Sequence, residues 1–267
     1  MTTIKELSNL KGRRALITGA TGGLGRVIAD SLAELGADLV LVDLPGSDFD
    51  SLSASLTERW RVKVECQVCD LEQQAQRTDL MGSLKSSSQR LNILINNAAF
   101  VGTSNLQGWA VPFEEQTIET WRRALEVNLT AIFDLCQGLT PLLKEAKGAN
   151  IINIASIYGM YGPNWSLYED TNMSNPAAYG ASKGGLIQLT RWLATTIAPN
   201  VRVNTISPGG VFRDQPQTFV SNYESKTPLG RMATEDDFRG VVAYLSSDMS
   251  QYVTGQNLLV DGGWGAW

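Results

Sequence analysis

The sequence predicts an α/β fold: a doubly wound parallel sheet of about seven strands with helices on both faces. Short apolar runs recur along the chain, longer segments with helical spacing separate them, and several runs are apolar on both faces. Strands of a parallel sheet are covered by helices on two sides, so they appear as continuous apolar runs. The strand–helix alternation favours right-handed crossover connections.

Seven segments are predicted to be strands, and each has a helical segment or a long loop before the next. The predicted strands are 13–18, 37–43, 62–68, 91–96, 149–156, 201–207 and 256–262. Helical spacing is clearest at 24–36 and 184–198. No internal repeat, low-complexity stretch or linker divides the chain, so we expect residues 1–267 to form one domain.

The least regular regions, 157–176 and 208–234, each follow a predicted strand. Loops beyond the carboxyl ends of parallel strands build the ligand site, and long loops are uncommon unless they are functional or disordered. We therefore expect both regions to be substrate loops.

Composition excludes several classes of function. The net charge is −5 and there is no basic run, so we expect no nucleic-acid partner. The chain contains no histidine, which removes Ser-His-Asp and Cys-His mechanisms and the commonest zinc ligand.

Cys66 and Cys69 form a C-x-x-C, but they fall in an alternating strand pattern, so we predict no metal or redox site. No signal peptide or membrane span is apparent, and a cytoplasmic protein is expected.

A glycine-rich segment joins the first predicted strand to the first long helix. Gly19, Gly23 and Gly25 form a G-x-x-x-G-x-G pattern. Glycine permits a tight turn and close approach of the backbone to a pyrophosphate at a helix N-terminus. Because the pattern lies at a strand-to-helix junction, it predicts a Rossmann-like dinucleotide site.

Asp43 ends the second predicted strand, 18 residues after Gly25. An acid at this position binds the adenosine ribose hydroxyls and repels a 2′-phosphate, which predicts NAD(H) and makes NADP(H) less favoured. The alternative is a solvated turn acid. Arg13 and Arg14 lie at the opposite end of the first strand, away from any 2′-phosphate.

Further short motifs follow in order along the chain. They are NNAA at 96–99, VNLTA at 127–131, IINIAS at 151–156, YGASK at 179–183, SPGG at 207–210 and VTGQNLLVDGG at 253–263. With the glycine loop, they make the sequence similar to the short-chain dehydrogenase/reductase family, of the shorter single-domain type, over nearly the whole chain.

The resemblance implies a catalytic set of Asn128, Ser156, Tyr179 and Lys183. Tyr179 would be the general acid/base, and Ser156 would orient the substrate oxygen. Lys183, one helical turn on, would lower the pKa of Tyr179 together with a positive nicotinamide, and would hold the nicotinamide ribose. Asn128 would hold a water that links Lys183 to solvent.

The resemblance also implies a larger set of cofactor-binding residues. Besides Gly19, Gly23, Gly25, Asp43, Tyr179 and Lys183, these are Thr21, Gly22, Leu24, Asp70, Leu71, Asn97, Ala98, Ala99, Pro208, Gly209 and Val211.

Three features depart from the family pattern. Ala99 replaces a usual glycine, which is tolerated if the backbone there does not need a positive φ. No threonine follows the PG motif at the usual spacing. Ser156 and Tyr179 lie 23 residues apart, about twice the usual spacing, so 157–176 carries an insertion that also contains Ser166 and Ser174.

The insertion is rich in aromatic and acidic residues: Tyr158, Tyr161, Trp165, Tyr168, Glu169 and Asp170. One interpretation is a loop that packs on itself or on a neighbouring subunit. The other is a polyhydroxyl substrate, with aromatic faces against a sugar ring and carboxylates that accept its hydroxyls.

Together these features predict an NAD(H)-dependent oxidoreductase that interconverts a secondary alcohol and a ketone, with a sugar or other polyol as the small-molecule substrate. The alternatives are a 3-oxoacyl reductase of fatty-acid type and a non-catalytic dinucleotide-sensing protein. The terminal Trp264 and Trp267 predict burial in a subunit interface. The resemblance implies a homotetramer or homodimer.

Overall fold

The computed structural model describes residues 1–87, 90–101 and 106–267. Within them, seven strands form one sheet: β1 (Arg14–Thr18), β2 (Asp38–Asp43), β3 (Val64–Val68), β4 (Ile93–Asn96), β5 (Ala149–Ile154), β6 (Val201–Pro208) and β7 (Asn257–Val260). All neighbouring strands are parallel, in the order β3-β2-β1-β4-β5-β6-β7. The predicted fold class is confirmed, and only β6 extends beyond its predicted segment, by one residue.

Nine α-helices lie in the described part of the chain. They are α1 (Ile4–Leu7), α2 (Gly23–Glu34), α3 (Phe49–Trp60), α4 (Gln74–Ser86), α5 (Ile118–Leu125), α6 (Ala131–Lys144), α7 (Ala177–Thr196), α8 (Gln217–Ser225) and α9 (Arg239–Ser246). A π-helical turn, Glu126–Thr130, joins α5 to α6. None of these described helices is both long enough and apolar enough to cross a membrane.

Two apolar cores lie on opposite faces of the sheet. Helices α2, α3 and α9 cover one face, and α4, α6 and α7 cover the other. Successive side chains of a strand point to opposite faces. In β1, Ala15 and Ile17 accordingly join the first core and Leu16 the second, all without solvent exposure. This double burial explains the continuous apolar runs of the sequence.

A third cluster joins the two substrate loops to the C-terminal tail. Its buried members include Leu167 from 157–176, Phe219 and Tyr223 from α8, and Trp264 from the tail. Both long loops are partly helical: the first contains short 3₁₀ turns, and the second contains α8. Each loop therefore supplies apolar residues to the same cluster beyond the carboxyl end of the sheet.

The tail differs from the expectation drawn from the sequence. Trp264 is only 9% exposed, because its ring stacks on Tyr223 of the same chain at a centroid distance of 6.1 Å. Its burial therefore needs no second subunit, whereas Trp267 is 83% exposed. The homotetramer or homodimer stays a prediction.

Both thiols of the C-x-x-C pair have a raised pKa. Cys66 is exposed on β3 and Cys69 is buried just beyond it. Burial raises the pKa of the Cys66 thiol, and raises that of Cys69 to about 11. Both groups are therefore protonated at neutral pH, unlike the thiolates of redox and metal sites.

Candidate active site

The site lies where the strand order reverses, between β1 and β4. The chain leaves these neighbouring strands in opposite directions, which opens a crevice at their carboxyl ends. Asn97, just after β4, donates its side-chain Nδ2 to the carbonyl oxygens of Thr18 and Gly19, both at 2.9 Å. The backbone nitrogens of Asn97 and Ala98 donate to Thr18 Oγ1 at 3.0 and 3.1 Å. These bonds fix the segment after β4 against the start of the glycine loop.

Two glycines of the loop are required by geometry. Gly19 has φ +63°, and a Cβ there would lie 2.8 Å from Ala98 Cα. A Cβ on Gly25 would lie 2.0 Å from the carbonyl oxygen of Gly19, because the loop folds back over the first turn of α2. Ala99, by contrast, has no positive φ, so the alanine in place of the family's usual glycine is compatible with the backbone.

Helix α2 begins at Gly23, and no side chain caps its N-terminus. The first backbone N–H groups of a helix lack intrahelical partners and favour an anion. The glycine loop and the uncapped start of α2 are thus compatible in polarity with the pyrophosphate of a dinucleotide.

Asp43 is held by the same loop. Its Oδ2 accepts hydrogen bonds from the backbone nitrogen and the hydroxyl of Thr21, at 2.8 and 2.7 Å, and its Oδ1 accepts one from the backbone nitrogen of Leu44 at 2.8 Å. The carboxylate at the end of β2 therefore lies beside the glycine loop, as the spacing predicted. Its anchoring by Thr21 was not visible in the sequence.

The predicted cofactor residues line two adjoining hollows. A cleft of about 440 Å³ is lined by Gly19, Thr21, Gly22, Gly23, Leu24, Gly25, Asp43, Asn97, Ala98, Ala99, Tyr179, Lys183, Pro208, Gly209 and Val211, together with Ser156 and others. A hollow of about 320 Å³ beside it is lined by Asp70 and Leu71, and it shares Asp43 with the cleft. The structure therefore brings all of them together, while their binding roles remain predictions.

The predicted catalytic residues Ser156, Tyr179 and Lys183 also meet in the cleft. Tyr179 lies in the first turn of α7 and Lys183 in the second, with Lys183 Nζ 5.7 Å from the centre of the Tyr179 ring. Nζ donates to the carbonyl oxygen of Ile154 at 2.8 Å, which ties α7 to the end of β5. Gly159 allows close packing here, since a Cβ there would lie 2.7 Å from the Lys183 backbone.

Of the three serines before Tyr179, Ser156 alone lines this cleft. Ser166 donates its hydroxyl to Asn164 Oδ1 at 2.8 Å, and Ser174 lines only neighbouring hollows. The position of Ser156, two residues beyond β5, supports its selection from the sequence.

The two ionisable groups are shifted by burial. Lys183 is 1% exposed, and burial lowers its pKa to about 8, because low-polarity surroundings disfavour the ammonium form. Burial raises the pKa of Tyr179, opposed by the neighbouring Ser156 hydroxyl and the charge of Arg213. In the protein chain by itself, burial outweighs these two effects. The lowering of the Tyr179 pKa by Lys183 together with a positive nicotinamide stays a prediction.

Asn128 lies in the π-helical turn, fully buried, and lines neither hollow. Its Oδ1 accepts from the Phe100 backbone nitrogen at 2.6 Å. Its Nδ2 donates to the Phe100 carbonyl oxygen at 3.2 Å and to Ser182 Oγ at 3.1 Å, and Ser182 in turn donates to the Tyr179 carbonyl oxygen at 2.8 Å. The side chain thus fixes the first turn of α7; its predicted role in holding a water stays a prediction.

A second pocket, of about 350 Å³, opens beside Ser156 and Tyr179. Its aromatic walls are Trp109, Tyr158, Tyr168, Phe219 and Tyr223, and it is also lined by Val101, Ala110, Ile157, Asn172, Met173, Ser174, Asn175, Pro176, Gly209, Gly210, Gln215 and Met232. Both predicted substrate loops contribute, and no acid or cation is among these described lining residues.

Part of one pocket wall is held by hydrogen bonds between its own polar groups. The Tyr158 and Tyr168 hydroxyls lie 2.8 Å apart, and Asn175 Nδ2 donates to the Tyr168 oxygen at 3.2 Å. Glu169 and Asp170 are exposed and do not line the pocket, so the carboxylate contacts of the polyol hypothesis find no support in its lining. Trp109, which the sequence analysis missed, is placed by a bond from its Nε1 to the Val101 carbonyl oxygen at 2.7 Å.

Comparison with known proteins agrees with this architecture. A family model described as enoyl-(acyl carrier protein) reductase matches residues 19–265. A tropinone reductase homolog of Arabidopsis thaliana is 35% identical over 274 residues, covering 98% of this chain and 96% of the relative.

Two solved structures superimpose closely. A short-chain dehydrogenase from Leptospira borgpetersenii with bound NAD⁺ has a TM-score of 0.84 at 33% identity, covering 99% of this chain and 96% of that one. A putative NAD(P)-dependent gluconate 5-dehydrogenase from Beutenbergia cavernae, with bound NADP, has a TM-score of 0.86 at 30% identity, covering 98% and 100%. With the assembled cleft and pocket, these matches show that the chain belongs to the short-chain dehydrogenase/reductase family.

Proposed function

We propose that this protein is an NAD(H)-dependent oxidoreductase that interconverts a secondary alcohol and a ketone. The observation that carries the proposal is the position of Ser156 and Tyr179, which line both the dinucleotide cleft and the aromatic pocket. A substrate carbon at the junction of the two hollows would lie next to the hydroxyls of Ser156 and Tyr179. It would also face the cleft that we propose holds the dinucleotide.

The roles of the side chains follow from this arrangement. The dinucleotide, when bound, supplies or accepts the hydride. Tyr179 gives its phenolic proton to the substrate oxygen during reduction and takes it back during oxidation. Ser156 donates a hydrogen bond that orients this oxygen, and Lys183 holds a positive charge beside the tyrosine. The complete set also argues against a protein that only senses the dinucleotide.

The preference for NAD(H) rests on Asp43. The adenosine-side hollow contains one cation among its described lining residues, Arg123, and Glu72 binds this guanidinium through two hydrogen bonds of 2.7 and 3.0 Å. A 2′-phosphate near Asp43 would meet a carboxylate, with the guanidinium of Arg123 already paired. Arg14, at the other end of β1, pairs with Glu65. The similar solved structures include both NAD⁺ and NADP complexes, so the preference rests on this chain's own residues.

The pocket favours a compact substrate with a largely apolar ring. Its aromatic walls, and the absence of acids and cations from its described lining, suit a cyclic ketone or alcohol. A sugar or polyol is the second candidate. It is supported by the neutral side chains of Asn172, Asn175 and Gln215 in the pocket, and by similarity to the putative gluconate 5-dehydrogenase of Beutenbergia cavernae.

The proposal is tested by calorimetric titration of NADH and NADPH into the wild type and Asp43→Asn. Asparagine keeps an oxygen that accepts from Thr21 but loses the charge. We expect NADH to bind the wild type more tightly and Asp43→Asn to weaken NADH binding about tenfold, since hydrogen bonds to charged groups contribute about 1.5–3 kcal/mol. Tighter binding of NADPH by the wild type would refute the cofactor assignment.

The substrate class is tested with the preferred cofactor on matched panels of cyclic ketones, polyols and short 3-oxoacyl thioesters. The highest kcat/KM on cyclic ketones supports the first candidate, and the highest on polyols supports the second. The highest kcat/KM on the thioesters would instead support a 3-oxoacyl reductase of fatty-acid type. No turnover on any panel, with cofactor binding intact, would refute the proposed reaction.

A further inference from the structure

Two oppositely charged side chains meet directly above the phosphate loop. Arg213 follows β6 in the second substrate loop, and Glu235 begins the 3₁₀ turn, Glu235–Phe238, that precedes α9. Arg213 Nε donates to Glu235 Oε1 at 3.0 Å. A Cβ on Gly23 would lie 2.6 Å from this same oxygen and 3.1 Å from Arg213 Nη2. The ion pair therefore covers the first residue of α2.

The Glu235 carboxylate lies beside the first residue of α2 and just outside the described lining of the cleft. Unpaired N–H groups and the helix dipole attract negative charge to the first turn. A pyrophosphate bound there would bring further negative charge next to Glu235 Oε1, and the two anions would repel each other. The carboxylate and the pyrophosphate would therefore compete for the guanidinium of Arg213, which lines the cleft and pairs with Glu235.

Arg213 is positioned to pair with the Glu235 carboxylate or with a pyrophosphate bound in the cleft. Its side chain lines the cleft and is 53% exposed, and its pair with Glu235 lies at the surface. The backbone around it is fixed: the Arg213 nitrogen donates to Gln215 Oε1 at 2.7 Å, and Gln215 Nε2 donates to the Val211 carbonyl oxygen at 2.8 Å. The charge of Arg213 also reaches Tyr179, where it opposes the rise of the pKa caused by burial.

We propose that Arg213 binds the cofactor's pyrophosphate, and that Glu235 is an internal anion that pairs with Arg213 over the phosphate loop until the cofactor displaces it. This inference rests on the proposed dinucleotide function. It makes Glu235 a residue beside the cleft that weakens cofactor binding by pairing with Arg213. A side chain with a merely structural role would not have this effect.

The test is titration of NADH and of ADP-ribose, which carries the pyrophosphate without nicotinamide, at one fixed ionic strength. The proteins are the wild type, Arg213→Gln, Glu235→Gln and the double variant. Arg231→Gln is the matched control, because Arg231 lies in the same loop, pairs with Asp237 at 2.6 Å and does not line the cleft. Thermal unfolding of each variant establishes that it folds.

Arg213→Gln should weaken both ligands about tenfold or more, as expected for loss of a charged hydrogen bond, and Arg231→Gln should change neither. Glu235→Gln should tighten both about two- to fivefold, because an exposed ion pair no longer has to be broken. In the Arg213→Gln background, most of this tightening should disappear, since no pair is left to break.

Several results would overturn the inference. If the wild type and Arg213→Gln bind both ligands with equal affinity, Arg213 does not contact the pyrophosphate, and the proposed function is unaffected. If Arg213→Gln binds NADH more weakly but ADP-ribose as tightly as the wild type does, Arg213 contacts the nicotinamide half of the cofactor and not the pyrophosphate. Unchanged or weaker ligand binding by Glu235→Gln would refute the displacement of Glu235 by the cofactor. Equal tightening by Glu235→Gln in the wild type and in Arg213→Gln would refute it as well. Failure of the wild type to bind either ligand would refute both this inference and the proposed function.

Discussion

Replacing Lys183 with methionine should make the stability of the protein respond differently to pH. In the wild type, burial lowers the pKa of Lys183 from 10.5 to about 8. Below about pH 8, both the folded and the unfolded chain carry the proton, and the folded state bears the full cost of a buried ammonium. Between pH 8 and 10.5 the unfolded chain binds more protons, so the stability of the wild type rises with pH.

The magnitude follows from the shift. From about pH 7 to about pH 9.5, this rise amounts to about 2 kcal/mol in the free energy of unfolding. Methionine has a side chain of similar length without a charge, so Lys183→Met lacks this contribution. The free energy of unfolding of the wild type, minus that of the variant, should therefore increase by about 2 kcal/mol across this range.

The assay is urea unfolding of both proteins at several pH values in this window. Using the difference between the proteins cancels the other groups that titrate there. Lys85→Met is the matched control, because Lys85 is exposed on α4. The free energy of unfolding of the wild type, minus that of Lys85→Met, should not change across this pH range. A flat difference for Lys183→Met as well would refute the claim that burial disfavours the ammonium at this site.

Two further substitutions test the site and its support. Tyr179→Phe should lower kcat by about 100-fold or more, the usual contribution of a general acid, with a nearly unchanged Kd for NADH; retained turnover would remove the tyrosine from the mechanism. Trp264→Ala should lower the free energy of unfolding by about 3–5 kcal/mol and raise KM, since the ring supports Tyr223 of the pocket wall. Trp267→Ala, at the exposed end of the tail, should stay within about 0.5 kcal/mol of the wild type, and equal effects of the two substitutions would contradict the structure.

Local patterns in the sequence were sufficient for much of the fold and the site. The strands of the sheet are buried on both faces, so each produced a continuous apolar run. Tyr179 and Lys183 are one helical turn apart, and Asp43 ends a strand, so short-range spacing placed them correctly. Such features depend on neighbours in the chain, and a sequence displays those neighbours directly.

Contacts between distant segments could not be predicted in this way. Nothing in the sequence distinguished among the aromatic and acidic residues of 157–176, yet Tyr158 and Tyr168 line the pocket while Glu169 and Asp170 are exposed. The path of an irregular loop depends on what it packs against, and that partner comes from α8 and the C-terminal tail.

By itself, the sequence determined the strand–helix order, the glycine loop and the spacing of Tyr179 and Lys183, because each depends on local geometry. Only the tertiary structure decided that Trp264 packs within its own chain, and that burial raises the pKa of Tyr179. It also decided that Arg213 meets Glu235 above Gly23. Burial and charge pairing are set by neighbours in space, and these residues are brought together by segments that the sequence separates widely.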